Sequence, residues 1–252
     1  YWQHPRFPHR PWDRDDWLIM NTPMEEALGR DVLFERASWR LLDRPFTMSE
    51  WNIPAPHDYA ASVVPFAAVV AALQDWDGVF FFQYLSDVET AFSDQIHGYF
   101  SFCGHPAKLA LLGAFAPLYL RGDLAPLPSV AAGTCAKRLP PILGLRHRIG
   151  IDPTRTEPMD LDVPHDRRVR TPGGEVVWDA TDPATAHLTV TTPATRAVWG
   201  RIAGRRFELG GWTLSLGELE RNYAVVVITS MDGRPLESSE RMLLVAVSSA
   251  EN

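Results

Sequence analysis

Residues 45–85 read PFTMSEWNIPAPHDYAASVVPFAAVVAALQDWDGVFFFQYL, and the fold turns on how this stretch is parsed. "PFTMS" has the composition of a short strand, and the proline-punctuated "EWNIPAPHDY" after it reads as a loop. "YAASVVPFAAVVAALQD" is apolar and Ala-rich, which predicts a helix perturbed around Pro65. "GVFFFQYL" is almost continuously apolar and aromatic. Its lack of alternation predicts a strand buried on both faces, as in a parallel sheet. Strand, helix and strand in that order are the grammar of a βα unit.

On the N-terminal side, residues 1–23 are rich in Pro, Trp, His and Arg without regular periodicity, the texture of a long loop carrying polar and aromatic side chains. A helix is expected from Pro23, with Thr22 as N-cap and Glu25 and Glu26 in its first turn. Leu28, Val32, Leu33, Ala37 and Leu41 form its apolar stripe, and it should end before Pro45. On the C-terminal side, a long loop over 86–104 leads to the Ala/Leu-rich helix "HPAKLALLGAFAPLYL". Residues 121–170 read as a connection with some short strands. Beyond them, "HLTVTTP", "TRAVWGRIA", "FELGGWTLSL", "YAVVVITSM" and "RMLLVAVSS" are β-prone runs separated by turn signals, the pattern of a small antiparallel sandwich. "MDGRP" at 231–235 is its hairpin turn.

Bulk composition narrows the function. The chain has 252 residues, 46% hydrophobic and 22% charged, enough for one large domain or two modest ones. A net charge of -7 argues against a nucleic-acid surface, which needs clustered Lys and Arg. The nearest cluster, Arg167, Arg168 and Arg170, reads as a solvated linker. Cys103 and Cys135 have neither CxxC spacing nor a zinc-like His pattern. No apolar run approaches the roughly 20 residues that span a bilayer. Nine Trp among 21 Pro are the informative excess, because indole packs in cores and also stacks on the apolar faces of sugar rings.

Glu50 lies at a strand end with Trp51 and Asn52 beside it, Trp76 and Asp77 before the next strand, and Tyr1, Trp2 and His4 in the first loop. Glycosidic cleavage needs two carboxyl groups flanking an oxocarbenium-like centre, donors that orient the nucleophilic carboxylate, and aromatic platforms. These residues supply one carboxylate and the platforms. His4, His9, Asp13, Asp15 and Asp16 match no standard metal spacing. Ser49 and Ser86 lack the glycines of a nucleophile elbow, and "GRIAGRRFELGG" lacks the helix that a phosphate loop requires.

"YWQHPRFPHRPWDRDDW", "PFTMSEWNIPAPHDYA", "ALQDWDGVFFFQY", "HPAKLALLGAFAPLYLRGD" and "ITSMDGRPLESSERMLLVAVSSAEN" together resemble the end of a clan A retaining glycoside hydrolase of the large bacterial kind. The resemblance covers most of the chain and is strongest over 1–123 and 223–252. It implies the C-terminal portion of a TIM (β/α)8 barrel over 1–127, a connection over 128–170 and a β-sandwich over 171–252. It further implies Glu50 as nucleophile at the end of barrel strand seven, Tyr1 and Asn52 as its orienting donors, and Tyr84 closing strand eight. Trp2, His4, Trp51, Asn52, Trp76 and Tyr84 become sugar contacts, and the chemistry needs no cofactor.

In that clan the acid/base Glu follows strand four, upstream of Tyr1. The expectation is therefore a fragment of an enzyme acting on β-linked glycosides, inactive or nearly so by itself and self-associating through an incomplete barrel. The residues leave the compartment open, with an extracellular or periplasmic location expected of the full-length protein. The competing expectation is a noncatalytic carbohydrate-binding or structural accessory module.

Overall fold

The structure, a computed structural model, describes residues 1–13 and 15–250. The expected helix from Pro23 is divided. A 3-10 turn, Met24–Glu26, gives out at Leu28 and Gly29, whose φ angles of 41° and 68° lie in the left-handed region. A Cβ on Gly29 would sit 2.8 Å from the Ile142 Cα, so the close approach needs glycine as well. The chain restarts as α1 (Val32–Ala37), where Asp31 Oδ1 accepts from the backbone N–H groups of Leu33 at 3.0 Å and Phe34 at 3.1 Å. The N-cap is thus Asp31, while the Thr22 hydroxyl accepts from the Gln3 side-chain amide.

Strand β1 (Thr47–Trp51) runs two residues further than "PFTMS", so Glu50 lies within the strand. Helix α2 (Val63–Gln74) follows a 3-10 turn at Ala60–Ser62. Pro65 is its third residue, in the first turn, where an N–H has no intrahelical partner to lose, and the helix is not perturbed there. Every residue of α2 is buried. Strand β2 (Gly78–Phe81) pairs with β1 in parallel. It is not buried on both faces, because it borders only β1 and leaves Phe80 60% exposed. Helix α3 (Pro106–Leu120) packs along α2.

The 121–170 segment holds a second parallel pair, β3 (Val130–Gly133) with β4 (Arg148–Ile151). A buried side chain of α2 ties helix and segment together. Gln74 Nε2 donates to the carbonyls of Gly144 at 2.6 Å and His147 at 2.8 Å, and Gln74 Oε1 accepts from the Ile149 N–H at 2.9 Å. These bonds use a buried amide fully, as its burial demands.

The remaining strands are β5 (Arg168–Arg170), β6 (Val176–Asp179), β7 (His187–Thr191), β8 (Thr195–Gly200), β9 (Arg206–Leu209), β10 (Trp212–Ser215), β11 (Ala224–Ser230) and β12 (Met242–Val247). Six of them form one antiparallel sheet in the order β12-β11-β8-β7-β6-β5, and β9 and β10 form a separate hairpin. The "MDGRP" turn opens a longer β11–β12 connection. There the Asp232 carboxylate collects the hydroxyls of Ser230 and Ser239 and the N–H groups of Arg234 and Glu240.

This architecture corrects the expected fold class. The described residues contain three α-helices and two separate two-stranded parallel pairs, not the closing portion of a TIM (β/α)8 barrel. Nor do the antiparallel strands make a sandwich of two facing sheets. One face of the single sheet presents Trp178, Leu188, Val190, Trp199, Val225 and Val227 to the same core as Phe66 of α2 and Phe115 of α3. The opposite face presents Val198, Ala224 and Val226 to Phe207 and Leu209 of the hairpin. Short β-prone runs specify strands, but what covers each face is decided by non-local packing. At the centre, Phe66 lies 5.2 Å from Trp178 and 5.7 Å from Trp199, and Phe115 lies 6.0 Å from Trp199. Truncating any one of these rings to Ala should cost about 3–5 kcal/mol.

Candidate functional site

Glu50 is the penultimate residue of β1, where the pairing with β2 shifts register between Met48 and Trp51. Its side chain is exposed. The first residues of the chain are laid beside this strand end by a backbone bond, Trp2 N–H to Asn52 C=O at 3.1 Å. That bond places the Tyr1 hydroxyl to donate to Glu50 Oε2 at 2.7 Å. Burial, together with the hydrogen bond and negative charge of Glu50, raises the Tyr1 phenol well above its ordinary value. Tyr1 therefore keeps its proton at any physiological pH, and the bond is a charge-assisted donation to a carboxylate.

The Tyr1 ring is held by aromatic neighbours. Its centroid lies 4.8 Å from Phe100, 5.5 Å from His4 and 6.2 Å from Phe82. His4 is exposed, with Nδ1 at 2.7 Å from the Pro5 carbonyl and its ring 5.5 Å from Phe100. Glu50, Tyr1 and His4 thus come together at one end of β1.

The other expected site residues are placed differently. Asn52 is fully buried and does not turn toward Glu50. Its Nδ2 donates to the carbonyls of Phe82 at 2.5 Å and Phe100 at 2.6 Å, and its Oδ1 accepts from Lys108 Nζ at 2.8 Å. It is a strut under the aromatic wall, with its donors spent, rather than an orienting donor or a sugar contact. Trp51 and Trp76 are core residues. The Trp51 indole N–H donates to the Val63 carbonyl at 2.8 Å, and the Trp76 ring packs on Phe46 at 5.0 Å. Neither presents a face on which a sugar could stack. Trp2 is half-buried, donating from its indole to the Thr22 carbonyl at 2.9 Å. Tyr84 is 63% exposed beyond β2, anchored through its carbonyl by the Cys103 N–H.

Beneath the wall lies a polar group that the sequence reading did not single out. Lys108 of α3 is fully buried, and besides Asn52 it donates to the Ile53 carbonyl at 2.6 Å and lies 5.1 Å from the Phe102 ring. Burial lowers its pKa to about 7. His57 and His105 are lowered to about 3, by burial first and then by the charge of Lys108, so both are neutral. The Tyr59 N–H donates to His57 Nδ1 at 3.1 Å, which leaves Nε2 as the protonated nitrogen facing Gln3 Oε1 at 2.9 Å. His105 Nδ1 accepts from the Lys108 N–H at the start of α3. The available signal was a lone charged residue, Lys108, in an otherwise apolar helix. A cation there must find oxygen partners or lose its proton.

Chemically, the end of β1 offers an exposed carboxylate steadied by a permanent phenol donor and bounded by aromatic rings. In comparisons with known proteins, no family model, no curated protein and no solved structure matches the chain.

Proposed function

We propose that the chain is part of a retaining glycoside hydrolase acting on β-linked glycosides, with Glu50 as its nucleophilic carboxylate. The observation that carries this reading is the hydrogen bond from Tyr1 to Glu50 Oε2 at 2.7 Å, on a carboxylate that is otherwise exposed. A donor locked in its protonated form fixes the orientation of the carboxylate it meets. Attack by the other oxygen on the anomeric carbon breaks the glycosidic bond and leaves a glycosyl ester on Glu50. Water then displaces the ester with net retention. The exposed His4 ring, packed on Tyr1 at 5.5 Å, borders the approach. Of the two carboxyl groups that retention requires, Glu50 supplies one, and the acid/base role is assigned to no residue of 1–252.

The first step can be tested without that second carboxyl. A 2,4-dinitrophenyl 2-deoxy-2-fluoro-β-glycoside carries a leaving group that departs without protonation, and its fluorine slows hydrolysis of the ester. Incubated with the chain and analysed by peptide mass spectrometry, it should label Glu50, and Glu50→Gln should abolish the label. An unlabelled Glu50 across gluco-, galacto- and manno-configured reagents would sink the nucleophile assignment. Glycan binding without labelling would then favour a noncatalytic binding module.

A further inference from the structure

A cavity of 940 Å³ is lined in part by Phe100, one of the rings packed on Tyr1. That volume falls within the range of about 300–1,000 Å³ occupied by small-molecule sites. Its walls include Trp12 and Trp17 from the first loop, Asp58 after β1, and Asp87, Tyr99 and Phe100 from the long loop after β2. We infer that this cleft binds an uncharged oligosaccharide, with the Trp12 indole as the stacking face and Asp58 and Asp87 as acceptors for sugar hydroxyls. The inference rests on the glycoside reading and extends it from the bond that reacts to the sugars beyond.

Three observations carry it. First, Trp12 is 58% exposed and has a φ of 63°, a left-handed conformation unfavourable for a bulky side chain, yet it is fixed in place. Its ring packs on Phe7 at 5.1 Å and His4 at 5.7 Å, so the exposed indole is a braced platform. Second, the acceptors are positioned. Asp58 Oδ2 accepts from Asn21 Nδ2 at 2.6 Å and Oδ1 pairs with Arg221, while Asp87 Oδ1 accepts from the Glu89 N–H at 3.0 Å. Among the described lining residues, two carboxylates stand with one guanidinium, which on a chain of net charge -7 suits a neutral polyol with apolar CH faces better than an anionic ligand. Third, the cleft shares an aromatic wall with the surroundings of the carboxylate. Phe100 lines it and also packs on Tyr1 at 4.8 Å, and the His4 ring bridges Tyr1 to Trp12.

The test is isothermal titration of the intact chain with cellohexaose, laminarihexaose and xylohexaose. At least one should bind. Trp12→Ala should weaken it about tenfold or more, since about 1.4 kcal/mol of lost stacking is a factor of ten. Asp87→Asn should weaken it several-fold. Because Trp12 is exposed, its variant should keep the parent melting temperature. The inference is overturned if none of the three probes binds at millimolar concentration, or if Trp12→Ala binds as the parent does. Binding that survives while Glu50 resists labelling would keep the cleft and discard the nucleophile. A labelled Glu50 with no hexasaccharide bound would do the reverse.

Discussion

Lys108 Nζ donates to Asn52 Oδ1 at 2.8 Å with neither side chain reaching solvent. The two residues are 56 positions apart and join the first turn of α3 to the chain just beyond β1. Through Asn52 the contact extends to the carbonyls of Phe82 and Phe100, whose rings surround Tyr1. The end of β1 therefore rests on a buried polar relay.

Replacing Lys108 by Met keeps much of the volume but leaves Asn52 Oδ1 and the Ile53 carbonyl without their donor, a loss of about 1–3 kcal/mol for each orphaned acceptor. The loss depends on pH. The folded pKa of about 7 lies below the ordinary lysine value of 10.5, so between the two the unfolded chain holds a proton that the native state does not. Native stability from this group rises with pH across that window and is reduced below it. Urea denaturation at pH 6, 8 and 10 should show the parent pulling further ahead of Lys108→Met at each step. A constant difference would mean that Lys108 does not titrate in the native state.

Tyr1→Phe removes one oxygen and preserves the ring. Loss of a hydrogen bond to a charged group, worth about 1.5–3 kcal/mol, should slow labelling of Glu50 by the fluoroglycoside about ten- to a hundredfold. Stability should change by no more than about 0.5 kcal/mol, because the pair is largely exposed. An unchanged labelling rate would reduce Tyr1 to a packing residue.

Glu25 has the opposite linkage to Lys108. It is fully buried, and burial raises its pKa to about 8. The native state then retains a proton that the unfolded chain releases above the ordinary value of 4.5, so stability from this group falls as pH rises from 4.5 to 8. Glu25→Gln has no proton to lose. Its melting temperature should overtake that of the parent progressively between pH 5 and 8, and parallel curves would show that Glu25 ionises normally.

Gly104 has a φ of 76°, and a Cβ there would lie 2.0 Å from the Gln95 carbonyl oxygen. Gly104→Ala should cost about 1–3 kcal/mol and displace the loop that carries Asp87 and Tyr99. Hexasaccharide binding in titration should weaken, while labelling of Glu50 should be less affected. Equal losses in both assays would indicate that the loop supports the carboxylate as well as the cleft.

The sequence by itself determined the local pieces: α2 and α3 from long apolar runs, and β7 to β12 from β-prone runs between turn signals, while β5 took shape where the arginines read as a linker. It also marked Glu50 as a carboxylate in aromatic company. These are signals from neighbouring residues, and propensity and periodicity are short-range. Tertiary structure decided the rest. Only packing shows that Trp51 and Trp76 are core residues while Trp12 stands at the surface, because an indole suits either place. Only packing covers one sheet with helices on one face and a hairpin on the other. The break after Met24–Glu26 depends on the approach of Ile142 to Gly29, more than a hundred residues away in sequence. The strut under the site depends likewise on Lys108 meeting Asn52. Contacts between distant segments leave little trace in the pattern of either one, and this site is built from such contacts.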